Sequence, residues 1–203
     1  MFDLFNSPKE DIAIKVNQAR SNIINKFTWK DTAKNNIKAI NKNTLNLSSS
    51  LDNIGWISSW NTKCGIASYS ERLVHNILNH VEIFSHASSE LIFKDENNVR
   101  RCWKLDHPSL DLLYEEIIQT GIKNLVIQFN YGFFDFCEFS KFIDRILAKK
   151  ISIIIFLHST NDPKNVTGKK LSTLSSAFKK VDRLLVHTPK DMNRLKSLDL
   201  VEN

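Results

Sequence analysis

At 203 residues, 42% hydrophobic and 25% charged, the chain can bury one sizeable core and carry an appendage, whereas two full domains would be a squeeze. Its longest apolar run, Ile151 to Leu157, is far too short to span a bilayer, and Met1 to Lys9 lacks the basic-then-apolar order of a secretory signal, so the expected compartment is the cytoplasm. A formal net charge of +6 admits an acidic partner such as a nucleotide or an anionic lipid surface. Most aromatic residues fall within apolar runs rather than between basic ones, which argues against nucleic acid.

The first segment carries helix punctuation. Ser7-Pro8-Lys9-Glu10 supplies a capping serine, a proline at the first helical position and a glutamate three residues after the cap, with Ile12, Val16, Ala19, Ile23 and Ile24 on one face. A second helix is expected from Thr28 to about Asn41, with Lys26, Lys30, Lys34, Lys38 and Lys42 as a basic stripe, either a solvated face or one for a membrane surface or acidic partner. Residues 1–45 are thus a helical appendage, and 46–53, around Ser48-Ser49-Ser50, a linker.

From Ile54 onward strands alternate with helices. Strands are predicted at Ile54 to Ser58, Val81 to Ser85, Val99 to Leu105, Leu125 to Phe129, Ile151 to His158 and Arg183 to His187. Helices are predicted at Ile66 to Leu78, Ser109 to Thr120, Phe136 to Lys149, Lys169 to Lys179 and Lys190 to Leu198. The runs Leu125 to Phe129 and Ile151 to Leu157 are nearly continuously apolar, as in strands covered on both faces. The expectation for 54–203 is an α/β fold with an open, mostly parallel, Rossmann-like sheet and flanking helices. Ligands of such sheets bind beyond the carboxyl ends of the strands, which places the tips Ser58 to Gly65, Asn130 to Phe136, His158 to Lys164 and His187 to Pro189 at the site.

Three of those tips carry side chains or backbone suited to chemistry. In Ser58 to Ser70 an apolar strand passes through a polar turn into a helix at Gly65. That glycine either relieves crowding at the turn or lets a phosphate approach the helix's first amides. His158 follows a buried strand directly, where it could serve as general base, hydrogen-bond partner or structural histidine. Asp162 is the only carboxylate near it in sequence. Gln128-Phe129-Asn130-Tyr131-Gly132 either offers amide and hydroxyl groups to a polyhydroxylated ligand or forms a turn with Tyr131 and Phe133 packed inward. Cys64, Cys102 and Cys137 show no paired or metal-ligand spacing, so neither disulfide framework nor zinc is expected. No Gly-x-Gly-x-x-Gly, Walker loop, Gly-x-Ser-x-Gly elbow or His-Glu-x-x-His helix occurs, which removes the main support for dinucleotide, P-loop, hydrolase and zincin chemistry.

Taken in order, four segments resemble the amino-terminal domain of GT-B glycosyltransferases of family 4: Trp60-Asn61-Thr62-Lys63-Cys64-Gly65-Ile66-Ala67-Ser68-Tyr69-Ser70, Val126 to Phe134, Ile153 to His158 and Val181 to Thr188. The resemblance covers 54–198 and implies a transferase that uses a nucleotide-sugar as co-substrate, needs no further cofactor or metal, and delivers sugar to a glycan or lipid-linked acceptor. It implies His158 as the catalytic histidine, with Cys64, Gly65, Ile66, Tyr131, Gly132 and Asn161 contacting donor or acceptor and Gly65 against the diphosphate. It also implies a second, donor-binding Rossmann-like domain outside this chain, negligible activity for the chain alone, and peripheral contact with the inner membrane face. Asn130 and Ser159 depart from the acidic residues common at those places in the family. Phe27 to Ala33 is similar to a Trp-containing string near the carboxyl end of the same enzymes, which would make residues 1–45 the tail of a preceding unit. The alternative from another class is a non-catalytic α/β module that binds a ligand or partner.

Overall fold

The computed structural model of the chain describes residues 9–26, 53–77, 80–164 and 166–201. The expected cap at Ser7 and Pro8, the helix from Thr28 to Asn41, the lysine stripe's side chains, the string Phe27 to Ala33 and the linker 46–52 lie outside the described residues. The chain divides into two units, residues 1–49 and 50–203. Of the first, helix α1 (Lys9–Lys26) is described, with Glu10 and Asp11 in the first turn, where the helix dipole favours carboxylates. Ile14 and Val16 are exposed on it.

The second unit is built on one six-stranded sheet: β1 (Ile54–Ile57), β2 (Val81–His86), β3 (Val99–Trp103), β4 (Asn124–Phe129), β5 (Ser152–Leu157) and β6 (Arg183–Val186). Every neighbouring pair is parallel, and the spatial order is β3-β2-β1-β4-β5-β6. The order runs one way from β1 and the other way from β4. This is the Rossmann-like arrangement, whose switch point between β1 and β4 opens a crevice beyond the carboxyl ends of the strands. All six predicted strands are present, with ends moved by a residue or two.

The intervening helices are α2 (Gly65–Val74), α3 (Asp111–Thr120), α4 (Phe136–Ala148), α5 (Ser175–Phe178) and α6 (Pro189–Ser197), with a 3-10 turn at Leu171–Leu174 before α5. Three ends have evident causes. The Asn76 side chain donates to the carbonyl of Arg72 at 2.7 Å, so α2 stops at Val74 although the apolar spacing runs on to Ile77. Gly121, at φ 66°, ends α3 in the left-handed conformation that a glycine adopts without strain. The helix predicted over Lys169 to Lys179 is split instead. Leu171 and Leu174 are buried three residues apart, the period of a 3-10 turn, and the Leu171 amide donates to Asp162 Oδ1 at 2.9 Å.

Strand alternation sorts the core into two faces. Ile57, Phe84, Leu125, Ile127, Phe129, Ile153, Ile155 and Leu157 join the larger cluster with α3, α4 and α5, while Ile54, Trp56, Val81, Ile83 and Val126 join a smaller one beneath α2. Ile154 and Phe156 of β5 are only half-buried on that second face, so it is less covered than the apolar run suggests. Beneath the carboxyl end of β4, the Phe129 ring packs 5.4 Å from Phe139, 5.6 Å from Phe136 and 5.8 Å from Phe178, a rigid floor for the loop that follows. Gly55 in β1 is a close approach, since a Cβ built there would lie 2.2 Å from Ile122 Cδ1.

Candidate functional site

The loop between β1 and α2 is held by a network that the sequence does not announce. Asn61 sits at φ 52°, and its side chain pairs with the loop before β3: Nδ2 donates to the Phe93 carbonyl at 2.6 Å and to Asp95 Oδ1 at 3.0 Å, while Oδ1 accepts from the Phe93 amide at 2.9 Å. Arg101, inside β3, closes the network. Its guanidinium grips Asp95 with two bonds of 2.6 and 2.9 Å and donates to the carbonyls of His86 at 2.8 Å and Trp60 at 3.1 Å. The hydrogen bond from Arg101 holds the Asp95 carboxyl below its usual range. On this flank of α2 a cleft of about 370 Å³ opens, lined by Trp60, Thr62, Ser68, Glu71 and Phe93 among others.

Beyond this loop, Ser58 and Ser70 exchange a hydrogen bond of 2.7 Å that ties β1 to α2. Cys64 is the extended residue that caps α2, and its Sγ accepts from the Ser59 hydroxyl at 3.4 Å. Burial pushes this thiol up, but the bonds from Ser59 and from the Ala67 and Ile66 amides outweigh it, and it titrates below its ordinary value. Gly65 opens the helix exposed, with nothing within 4 Å of the place a Cβ would occupy. The backbone there is exposed at the start of a ten-residue helix. Ile66 packs against the larger core cluster.

His158 lies across the switch point, on the turn after β5. Its Nε2 is 2.7 Å from Oε1 of Gln128, which comes from neighbouring β4 and is fully buried. The rings of Tyr69 from α2 and His187 from the turn after β6 stand 5.1 and 5.2 Å away, and Tyr69 and His187 are 5.5 Å apart. Burial first, and then the charge of His187, bring His158 down to about 4, so it is neutral near pH 7. Its Nδ1 makes no hydrogen bond to protein among the described residues.

The remaining predicted residues lie on the loops after β4 and β5. Tyr131 is buried, and its hydroxyl donates to Asp162 Oδ1 at 2.9 Å. Burial, and then Asp162, push that phenol far up. The Gly132 amide donates to Asn130 Oδ1 at 3.0 Å, a local turn over which Tyr131 and Phe133 pack inward. Asn161 is exposed, its amide donating to Ser159 Oγ at 3.2 Å, and it lines a separate cleft of about 360 Å³ with Thr160, Thr188, Asp191 and Arg194. His158 and the Cys64–Ile66 turn therefore share one flank through Tyr69, while Tyr131 is tied to Asp162 of the loop after β5 and Gly132 to its own turn. Sequence reading missed Gln128 as a partner of His158 and missed the Asn61–Asp95–Arg101 network. A lone glutamine inside the apolar run Leu125 to Phe129 was the available signal for the first.

Among the described residues no group of three or more His, Cys, Asp or Glu is placed to hold a metal ion, and no helix is long and apolar enough to cross a membrane. No protein-family model matches the chain, and no curated protein sequence matches it.

Proposed function

We propose that residues 54–201 form the acceptor-side half of a nucleotide-sugar-dependent glycosyltransferase similar to the family 4 GT-B enzymes, acting on a glycan or lipid-linked acceptor. One observation carries the reading. At the switch point of a 3-2-1-4-5-6 sheet, the open backbone of Gly65 and the ring of His158 stand on the same flank, bridged by Tyr69 of the helix that Gly65 begins.

In this reading the bond between the anomeric carbon and the diphosphate oxygen breaks while an acceptor hydroxyl attacks that carbon and gives up its proton to the departing diphosphate. Negative charge accumulates on the departing diphosphate, and the first-turn amides of α2, aligned with the helix dipole, face it without reorganising. Neutral His158 is a hydrogen-bond partner for a sugar hydroxyl rather than a cation beside an oxocarbenium-like centre, whose positive charge a protonated ring would oppose. A second Rossmann-like half would supply the donor pocket, and its contribution would be positioning.

The test is transfer from a panel of radiolabelled nucleotide-sugars by a polypeptide that includes a second half. Replacing His158 by Ala should lower turnover at least tenfold while changing the melting temperature little, and the 203-residue chain alone should transfer almost nothing. Unchanged turnover in the His158→Ala protein would remove His158 from the site. Absence of any transfer with the panel, together with saturable binding of another partner, would favour the non-catalytic module.

A further inference from the structure

We propose that Gln128 is a positioning residue that fixes His158 as the Nε2–H tautomer, so that the site meets its ligand with an unprotonated Nδ1, a hydrogen-bond acceptor directed at a donor such as a substrate hydroxyl. The part concerning the hydroxyl rests on the glycosyltransferase reading; the tautomer does not.

Strand β4 carries an oddity. Its other inward residues, Leu125, Val126, Ile127 and Phe129, are apolar, yet Gln128 is 0% exposed among them. A buried amide is retained where its hydrogen bonds are met. Here only one end has a partner: Oε1 lies 2.7 Å from His158 Nε2, while Gln128 Nε2 is buried without a partner among the described residues. Among the described residues the amide has no other hydrogen-bond partner, so the side chain is committed to His158. An oxygen facing Nε2 requires a hydrogen on that nitrogen, and a neutral ring carries its single N–H there, leaving Nδ1 with a lone pair.

The neighbours keep the ring in place without competing for its nitrogens. Tyr69 meets it edge to face at an interplanar angle of 88°, and His187 lies against it at 44°. His158 is also anchored through the backbone, its amide donating to the Phe129 carbonyl at 3.3 Å, so strands β4 and β5 fix both partners of the pair. Burial and His187 favour the neutral ring in which tautomers have meaning. A histidine so oriented accepts from a hydroxyl and cannot donate to an oxyanion, which separates it from a charge-stabilising role.

The experiment is a long-range 1H–15N correlation on the uniformly 15N-labelled chain at pH 7.5. His158 should show one protonated-type nitrogen at Nε2 and one unprotonated-type nitrogen at Nδ1. In Gln128→Leu the two shifts should move toward each other as the tautomers mix, with the amide spectrum still folded. In Gln128→Glu the midpoint of His158 protonation should rise by at least one pH unit, because a carboxylate then faces the ring. A parent chain in the Nδ1–H form would overturn the proposal, whether or not either variant folds, and so would a tautomer unchanged in folded Gln128→Leu. Failure of the transferase reading registers elsewhere, as absence of sugar transfer with the Nε2–H tautomer intact.

Discussion

Replacing Arg101 by Met keeps most of the apolar stem and removes the guanidinium, and with it the closure of the loop that leads into α2. Four acceptors lose their donor: the Asp95 carboxylate, the carbonyls of His86 and Trp60, and the Ser85 hydroxyl at 3.4 Å. The side chains of Arg101 and Asp95 are 16% and 20% exposed, so the pair belongs between surface ion pairs, which contribute about 0–1 kcal/mol, and buried ones, whose breaking costs about 3–5 kcal/mol. The expected loss is about 2–4 kcal/mol, which for a unit of this size lowers the melting temperature by roughly 5–12 °C. Thermal and urea unfolding followed by circular dichroism would measure it. Hydrogen exchange should accelerate first at the Ile92 and Phe93 amides, which donate to the carbonyl and side chain of Asn61. Asp95→Asn should couple to Arg101→Met by about 1–2 kcal/mol in a double-mutant cycle. A loss below about 0.5 kcal/mol, the scale of ordinary surface changes, with unchanged exchange at Ile92 and Phe93, would refute the view that this network holds the loop.

His158 makes a pH prediction. Its unfolded value is near 6.5 and its folded value about 4, so between those limits the unfolded chain binds the extra proton; the stability is fully present above 6.5 and falls as pH drops toward 4. After allowance for solvent access to a half-buried ring the change is about 1–2 kcal/mol, and His158→Phe should flatten that slope in urea titrations at pH 7 and pH 4.5. An equal slope in both proteins would contradict it. Gly55→Ala should cost about 1–3 kcal/mol by overpacking, because the added Cβ meets Ile122 Cδ1 at 2.2 Å and Leu125 Cδ1 at 2.9 Å in fully buried surroundings. Ile122→Val, which deletes the nearest of these atoms, should restore part of the loss in the double variant, and a purely additive result would show that the crowding lies elsewhere.

The fold was legible because its signals are local and repeated. Apolar runs such as Ile151 to Leu157, each followed by a helical spacing, leave little besides a parallel sheet, and the structure has all six expected strands. What could not be read was tertiary. Arg101 looks like a surface charge in a short strand until Asp95 and the Trp60–Asn61 loop gather around it from two segments. For Tyr131 the sequence leaves a ligand contact and an inward-packed turn residue open, and nothing in its neighbourhood reveals Asp162, thirty-one residues later, as the acceptor of its hydroxyl. The break in the helix over Lys169 to Lys179 arises from the same Asp162, which takes the Leu171 amide. His158 was legible by its place after a buried strand, whereas its company, Gln128, Tyr69 and His187, comes from three different elements.

The most direct test of the central claim, that the start of α2 beside His158 is the phosphate-facing wall of a sugar-transfer site, is a titration of the 15N-labelled chain. The probes are UDP-glucose, GDP-mannose and the corresponding free diphosphates, followed by amide shifts. At least one nucleotide should move the amides of Gly65, Ile66 and Ala67 most, together with the ring signals of His158, and a Gly65→Val chain of unchanged stability should lose the response. Shifts confined to the cleft between Thr160 and Ser197, or no saturable shift with any of these nucleotides at millimolar concentration, would contradict it.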